Sequence, residues 1–336
     1  MSAATGGGRA FLTGSCTQAL EMAALLLDLG PGDEVIVPAF TFVSTANAFA
    51  SRGARPVFAD SGPLNPNIEP SHVERLLSPR TRAICLVHYA GIACDLDAFA
   101  GLAREHEVAL IEDNAHGLFG RYRGRPLGSF GVLATQSFHE TKNVTCGEGG
   151  ALIVNDPALV PRAEVLRHKG TNRARFLQGQ VDKYTWVDFG SNFMASELQA
   201  AHLCAQLEAA DRIQAARQAI WRRYDAALAD WAAGHDVRTP VVPPWSEQPA
   251  HCYYLVMPTL AARQRLIAQL GDRGILAVFH YQALHVSDMG ARFGGRPGDC
   301  PEAEALSNRL VRLPLYAGMT DQEVARVVDA VLAVEL

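Results

Sequence analysis

The chain has 336 residues, a formal net charge of −5 and 49% hydrophobic residues, room for two domains or one large α/β core with an added lobe. A balance this mildly acidic, without a basic run, argues against nucleic acid as a partner. Seven scattered cysteines form no CxxC pair, which points to a reduced protein without disulfides or a zinc knuckle.

In chain order, "MSAATGGGRA" lacks the apolar centre of a signal peptide, and no apolar run is long enough to cross a bilayer. A cytoplasmic location is therefore expected. The first helix is well punctuated. Ser15 or Thr13 can cap it, "QALEMAALLLDLG" fills it, and Gly30-Pro31-Gly32 stops it. Six apolar runs then read as buried strands: 34–40, 55–60, 82–89, 108–114, 134–139 and 150–156. Helical segments such as "DLDAFAGLAREHE" separate several of them. Strand–helix alternation with strands apolar on both faces predicts a mostly parallel sheet covered by helices. A long helix is expected over 196–231, with Ser196 and Gln199 at capping-box spacing. The pattern beyond it, strands "CYYLVMP" and "ILAVFHY" around a helix and then a capped C-terminal helix, reads as a smaller α+β lobe. The expected division is 1–206 and 207–336.

Three places carry chemistry. A small-residue turn opens the first helix at Cys16-Thr17, where free N–H groups and the helix dipole favour an anion such as phosphate. The Cys16 thiol is expected to be packed rather than reactive. Asp113 ends the strand in "VALIEDNAHG", the end at which open α/β sheets bind ligands. A carboxylate buried there needs a cationic partner, which a protonated pyridine nitrogen, an arginine or a lysine can be. His116 lies three residues on. Ser137, Lys142 and Gly147, Gly149 and Gly150 follow the next strand. An enclosed lysine loses its proton more easily and can form a Schiff base with an aldehyde. Ser137 could bind a phosphate oxygen, and the glycines could let the backbone turn close to a bound ring. "HETKN" fails the zinc HExxH pattern because Asn143 stands where the second histidine belongs, and no metal is expected. No GxGxxG follows the first strand, which argues against a dinucleotide dehydrogenase. Helix start, strand-end Asp and Ser…Lys, in that order, are the layout of a pyridoxal 5′-phosphate (PLP) enzyme.

With these motifs, "GSCTQAL", "PAFTFVSTANAF", "IEDNAHG", "SFHETKN…GEGGALIVND" and "GSNFMASELQAA" resemble the DegT/DnrJ/EryC1/StrS sugar aminotransferases of PLP fold type I. The resemblance runs from about residue 12 to the C-terminus. It implies an α/β fold with a mostly parallel central sheet and a smaller C-terminal α+β domain. It also implies that Lys142 holds the cofactor aldehyde, Asp113 pairs with the pyridine nitrogen, Phe42 stacks on the ring and His116 sits beside it. Ser137 and the backbone of Cys16 and Thr17 would hold the phosphate. Asn192 would reach the phosphate of a neighbouring subunit in a homodimer with shared sites. Tyr281 and His285 would line the sugar-nucleotide pocket, with His139 and Tyr184 nearby.

"HYAGIACDLD", "KGTNR", "GQVDKYTW" and "VFHYQALH" are similar to the family members that use glutamate to convert TDP-4-keto-6-deoxy-D-glucose to TDP-4-amino-4,6-dideoxy-D-galactose, as in enterobacterial common antigen synthesis. Amination at C3, or at C4 in the gluco series, is the alternative within the family. Relatives that dehydrate the sugar carry histidine at the lysine position. The family also implies a helix and a glycine-containing segment ahead of "GSCT" that shape the substrate pocket. Only "MSAATGGGRAFLT" stands there, which leaves a PLP-binding protein without activity as a further alternative.

Overall fold

The computed structural model describes residues 2–335. A seven-stranded sheet organises the first half of the chain. Its strands are β1 (Arg9–Thr13), β2 (Glu34–Pro38), β3 (Arg55–Ala59), β4 (Thr81–Val87), β5 (Ala109–Asp113), β6 (Leu133–Ser137) and β7 (Gly150–Val154). The spatial order is β1-β7-β6-β5-β4-β2-β3. β7 runs antiparallel to both neighbours, and the remaining pairings are parallel. The six apolar runs thus become six strands of one mostly parallel α/β sheet. β1 was not expected. "RAFLT" is short and half polar, and it is a strand because β7 pairs with it over five residues.

Both faces are covered, as the unbroken apolar runs require. In β2, Val35 and Val37 pack with Leu20 and Leu26 of helix α1 (Cys16–Leu26), while Ile36 packs on the other face with Ile84, Leu86 and Phe99. Alternation along the strand sends neighbours to opposite cores. Ser15 caps α1, accepting from the Gln18 N–H at 3.2 Å, so of the two expected candidates Ser15 takes the position. Helix α2 (Val43–Ala50) follows β2 and packs beside α1.

The long helix expected over 196–231 is two helices, α3 (Glu197–Glu208) and α4 (Ala210–Gly234), that meet at Ala209. No proline or glycine marks the break. Leu203 of α3 and Ile213 in the first turn of α4 join Phe138 and Val144, whereas Ile220, Tyr224 and Leu228 farther along α4 join a second cluster extending to Val334. The Ser196–Gln199 capping box forms as its spacing suggests. Around that second cluster, β8 (Tyr253–Val256), β9 (Val278–Phe279) and β10 (Leu310–Leu313) form an antiparallel sheet in the order β8-β10-β9. Helix α5 (Leu260–Asp272) and the capped C-terminal helix α6 (Asp321–Leu332) complete it. Among the described residues no helix is long and apolar enough to cross a membrane.

Candidate active site

The parallel strands end where α1 begins, and a cavity of about 490 Å³ opens there. Cys16 and Thr17 at the start of α1, Phe42, Asp113, His116, Ser137, His139, Lys142 and Tyr281 all line it. Residues from five separate segments therefore meet in one space.

Asp113, at the end of β5, is 5% exposed. Its Oδ2 accepts from the Thr45 hydroxyl at 2.8 Å and its Oδ1 from the Ala115 N–H at 3.2 Å. Thr45 is in turn bonded to Thr41 at 2.9 Å. Among the described residues no cation pairs with Asp113. Burial raises its pKa above the usual carboxylate range, more than the Thr45 and Ala115 hydrogen bonds lower it. Lys142 is half-buried on the same cavity, and burial lowers its amine pKa while the neighbouring Cys16 and Asp113 oppose that shift. The amine thus loses its proton more readily than an exposed lysine.

At the helix start, the Cys16 and Thr17 N–H groups belong to the first turn, which has no intrahelical acceptors. The Thr17 hydroxyl bonds Ser44 Oγ at 2.8 Å, and Ser137 lies at the end of β6 beside them on the cavity wall. Burial and the nearby Asp113 push the Cys16 thiol up to about 12, so it is a packed, protonated thiol. Gly150 has a different task from the one expected. A Cβ there would collide with the Cys16 nitrogen and the Ser15 carbonyl, so glycine lets β7 lie against the start of α1. Gly147, at φ +81°, supplies the left-handed turn.

Imidazoles build one wall. His116 Nδ1 accepts from the Ala90 N–H at 3.3 Å, which leaves the proton of the neutral ring on Nε2, 3.4 Å from the Tyr281 hydroxyl. His251 stacks on His116 at 4.1 Å, and His280 stacks on Tyr281 at 3.9 Å. Burial, reinforced by Lys142 and Arg312, holds all three imidazoles below their usual pKa, His280 at about 2. The wall is uncharged at neutral pH.

Three expected residues lie elsewhere. His285 is fully buried outside this cavity, its Nε2 bonded to Glu304 at 2.9 Å and its ring beside Phe58. Tyr184 is 54% exposed and packs on Phe176, and Asn192 is exposed; neither lines the cavity of its own chain. The sequence reading passed over Ser44, Thr45, His251, His280 and Arg312, all on the cavity wall. The nearest signal for two of them was "TFVSTANAF", whose hydroxyls face the cavity once α2 is placed.

Asp113, Lys142 and the helix start fit PLP: a buried carboxylate short of a cation, an amine with a lowered pKa, and open N–H groups for a phosphate. The sequence profile of the DegT/DnrJ/EryC1/StrS aminotransferase family matches residues 1–332. The chain belongs to that family. It is 35% identical over 338 residues to the spore coat polysaccharide biosynthesis protein SpsC of Bacillus subtilis (strain 168), covering 98% of this chain and 86% of that protein. The structure of the aminotransferase TlmJ from Streptoalloteichus hindustanus is similar at a TM-score of 0.89 and 33% identity, over 99% of this chain and 87% of that one. The PLP form of the putative sugar aminotransferase Spr1654 from Streptococcus pneumoniae is similar at 0.90 and 25% identity, over 98% and 88%. The fold of this aminotransferase is accordingly PLP fold type I, and PLP is its cofactor.

Proposed function

We propose that this aminotransferase moves the amino group of glutamate onto a nucleotide-linked keto sugar, converting TDP-4-keto-6-deoxy-D-glucose to TDP-4-amino-4,6-dideoxy-D-galactose. The observation that carries the reaction type is the shared cavity of Asp113 and Lys142, with the start of α1 at its edge. The choice of sugar is supported by the subgroup segments, above all "VFHYQALH", whose Tyr281 reaches the cavity. A polysaccharide pathway agrees with SpsC being a spore coat polysaccharide biosynthesis protein. A cytoplasmic homodimer is part of the same reading.

Asp113 would hold the cofactor's pyridine nitrogen, Phe42 would lie against its ring, and the Cys16 and Thr17 N–H groups with Ser137 would seat its phosphate. Bound PLP supplies a cationic ring that draws electron density when a C–H bond beside the amino nitrogen breaks. Lys142 Nζ takes the proton from the donor α-carbon on the first leg and delivers a proton to the sugar C4 on the second. A base that also serves as an acid works best with its pKa near the working pH, the direction in which burial moves Lys142. Neutral His116 orients polar groups at the ring without adding charge. The Asn192 and Tyr184 roles would belong to a site completed by a partner copy.

The test is Lys142→Ala, assayed with glutamate and TDP-4-keto-6-deoxyglucose and with the sugar product's C4 configuration read by NMR. Turnover should fall by at least about a thousandfold, together with loss of the visible cofactor band. Wild-type turnover in that variant overturns the assignment of Lys142. An equatorial amine from the wild-type enzyme moves the product to the gluco series.

A further inference from the structure

Lys142 borders a second cavity, of about 440 Å³, which shares Thr141, Lys142, His251 and Arg312 with the first. Its lining carries three arginines, Arg212, Arg217 and Arg312, and one carboxylate, the exposed Glu140. Among the described residues none of the three guanidiniums makes an ion pair. Arg217 is 3% exposed and donates only to the neutral carbonyls of Ala250 and His251. Burial without a counter-charge pulls its pKa down to about 10. Arg312, on β10, has its Nε buried without a partner. Arg212 stands exposed at the start of α4.

A buried cation is normally paired, because desolvating it alone is costly. Three arginines around one space, none of them ion-paired with a carboxylate among the described residues, are completed by an anion from outside the chain. The cofactor phosphate has its own seat at the start of α1, in the first cavity. We propose that the second cavity is an anion subsite that receives the side-chain carboxylate of the amino donor, with Arg212 as its outer reader. This rests on the aminotransfer proposed above. Ile213, Leu313 and Leu315 supply aliphatic wall beside the cations. That mixture suits a carboxylate on a methylene chain, whereas a sugar-linked diphosphate has no apolar span to lay there. The enzyme thereby prefers dicarboxylate donors over monocarboxylate ones such as alanine.

The experiment compares the wild-type holoenzyme with Arg212→Gln, whose side chain is exposed and makes no hydrogen bond or ion pair among the described residues. The half-reaction with glutamate, the half-reaction with alanine and the amination of the keto sugar are each followed by the cofactor absorbance. Binding of glutarate, a dicarboxylate without an amine, is titrated by calorimetry. The variant should raise the glutamate KM and the glutarate Kd by about tenfold or more, with kcat, the alanine reaction and the keto-sugar KM unchanged. Equal effects on glutamate and alanine, a shift in the keto-sugar KM alone, or unchanged glutamate and glutarate constants would each overturn the subsite. Absence of any glutamate half-reaction in the wild type, with glutarate still bound through Arg212, would instead remove the proposed donor and leave the anion subsite standing.

Discussion

Glu112 and Asp113 are neighbours on β5, yet one carboxylate is complete and the other is not. Glu112 is fully buried and accepts from the Gly128, Phe130 and Gly131 N–H groups at 2.8, 2.6 and 2.8 Å, and from His88 Nε2 at 3.1 Å. His88 Nδ1 accepts from the Cys94 N–H, which fixes its proton on Nε2. These donors outweigh burial and hold the Glu112 pKa below its usual value. Asp113 has one hydroxyl and one N–H, and burial wins. Strand alternation sends the first side chain into the protein and the second to the cavity. A carboxylate whose lone pairs are all answered fastens a loop; one left short of donors beside a cavity is available to a ligand.

The comparison can be broken by making each residue its amide. Asp113→Asn has the largest expected effect: turnover at least about a hundredfold lower, because an amide cannot neutralise a protonated ring nitrogen. The cofactor-free variant should melt no lower than the wild type. Activity kept within a few fold would place the ring nitrogen elsewhere. Glu112→Gln should do the reverse. The NH₂ group replaces one of the two oxygens, so either the Gly128 N–H and His88 on Oε2 or the Phe130 and Gly131 N–H groups on Oε1 lose their acceptor, and the loss is about 3–5 kcal/mol in urea unfolding, with kcat little changed in the protein that remains folded. An unchanged urea midpoint would mean that the loop holds without Glu112.

The pH dependence sharpens the contrast. Glu112 has a lowered folded pKa, so its contribution is present above the unfolded value and is lost as pH falls through the folded one. Asp113 has a raised folded pKa. Its contribution is therefore present below the unfolded value and is lost as pH rises through the folded one, unless a cation arrives. Glu112→Gln should thus flatten the acid limb of the cofactor-free stability curve, and Asp113→Asn should steepen the net loss on acidification. Thermal melts across the carboxylate range read both. The smallest expected effect is Gly150→Ala, which presses the start of α1 away from β7; cofactor affinity should weaken about tenfold, read by equilibrium dialysis, while the melting point moves less.

Much of the cavity was legible in the sequence. Cys16, Thr17, Phe42, Asp113, Ser137 and Lys142 follow strand ends or open helices, and a parallel sheet gathers such places at one edge. His251, His280 and Arg312 were not legible. They come from the chain's last third, adjoin no strand of the main sheet and reach the cavity only because the smaller sheet packs over it. His285 shows the same limit in reverse: four residues from Tyr281, it turns into its own core and pairs with Glu304.

By itself, then, the sequence determined the six apolar strands, the cap at Ser196 and that of the C-terminal helix, and the family, since these rest on local pattern and on motifs in a fixed order. Tertiary structure alone decided that "RAFLT" is a strand, that the helix breaks at Ala209, that Glu112 is satisfied while Asp113 is not, and that three arginines share a cavity without an ion pair among the described residues. Each of these depends on which groups from distant segments meet. Burial and hydrogen-bond completion belong to those meetings and not to any single stretch of chain.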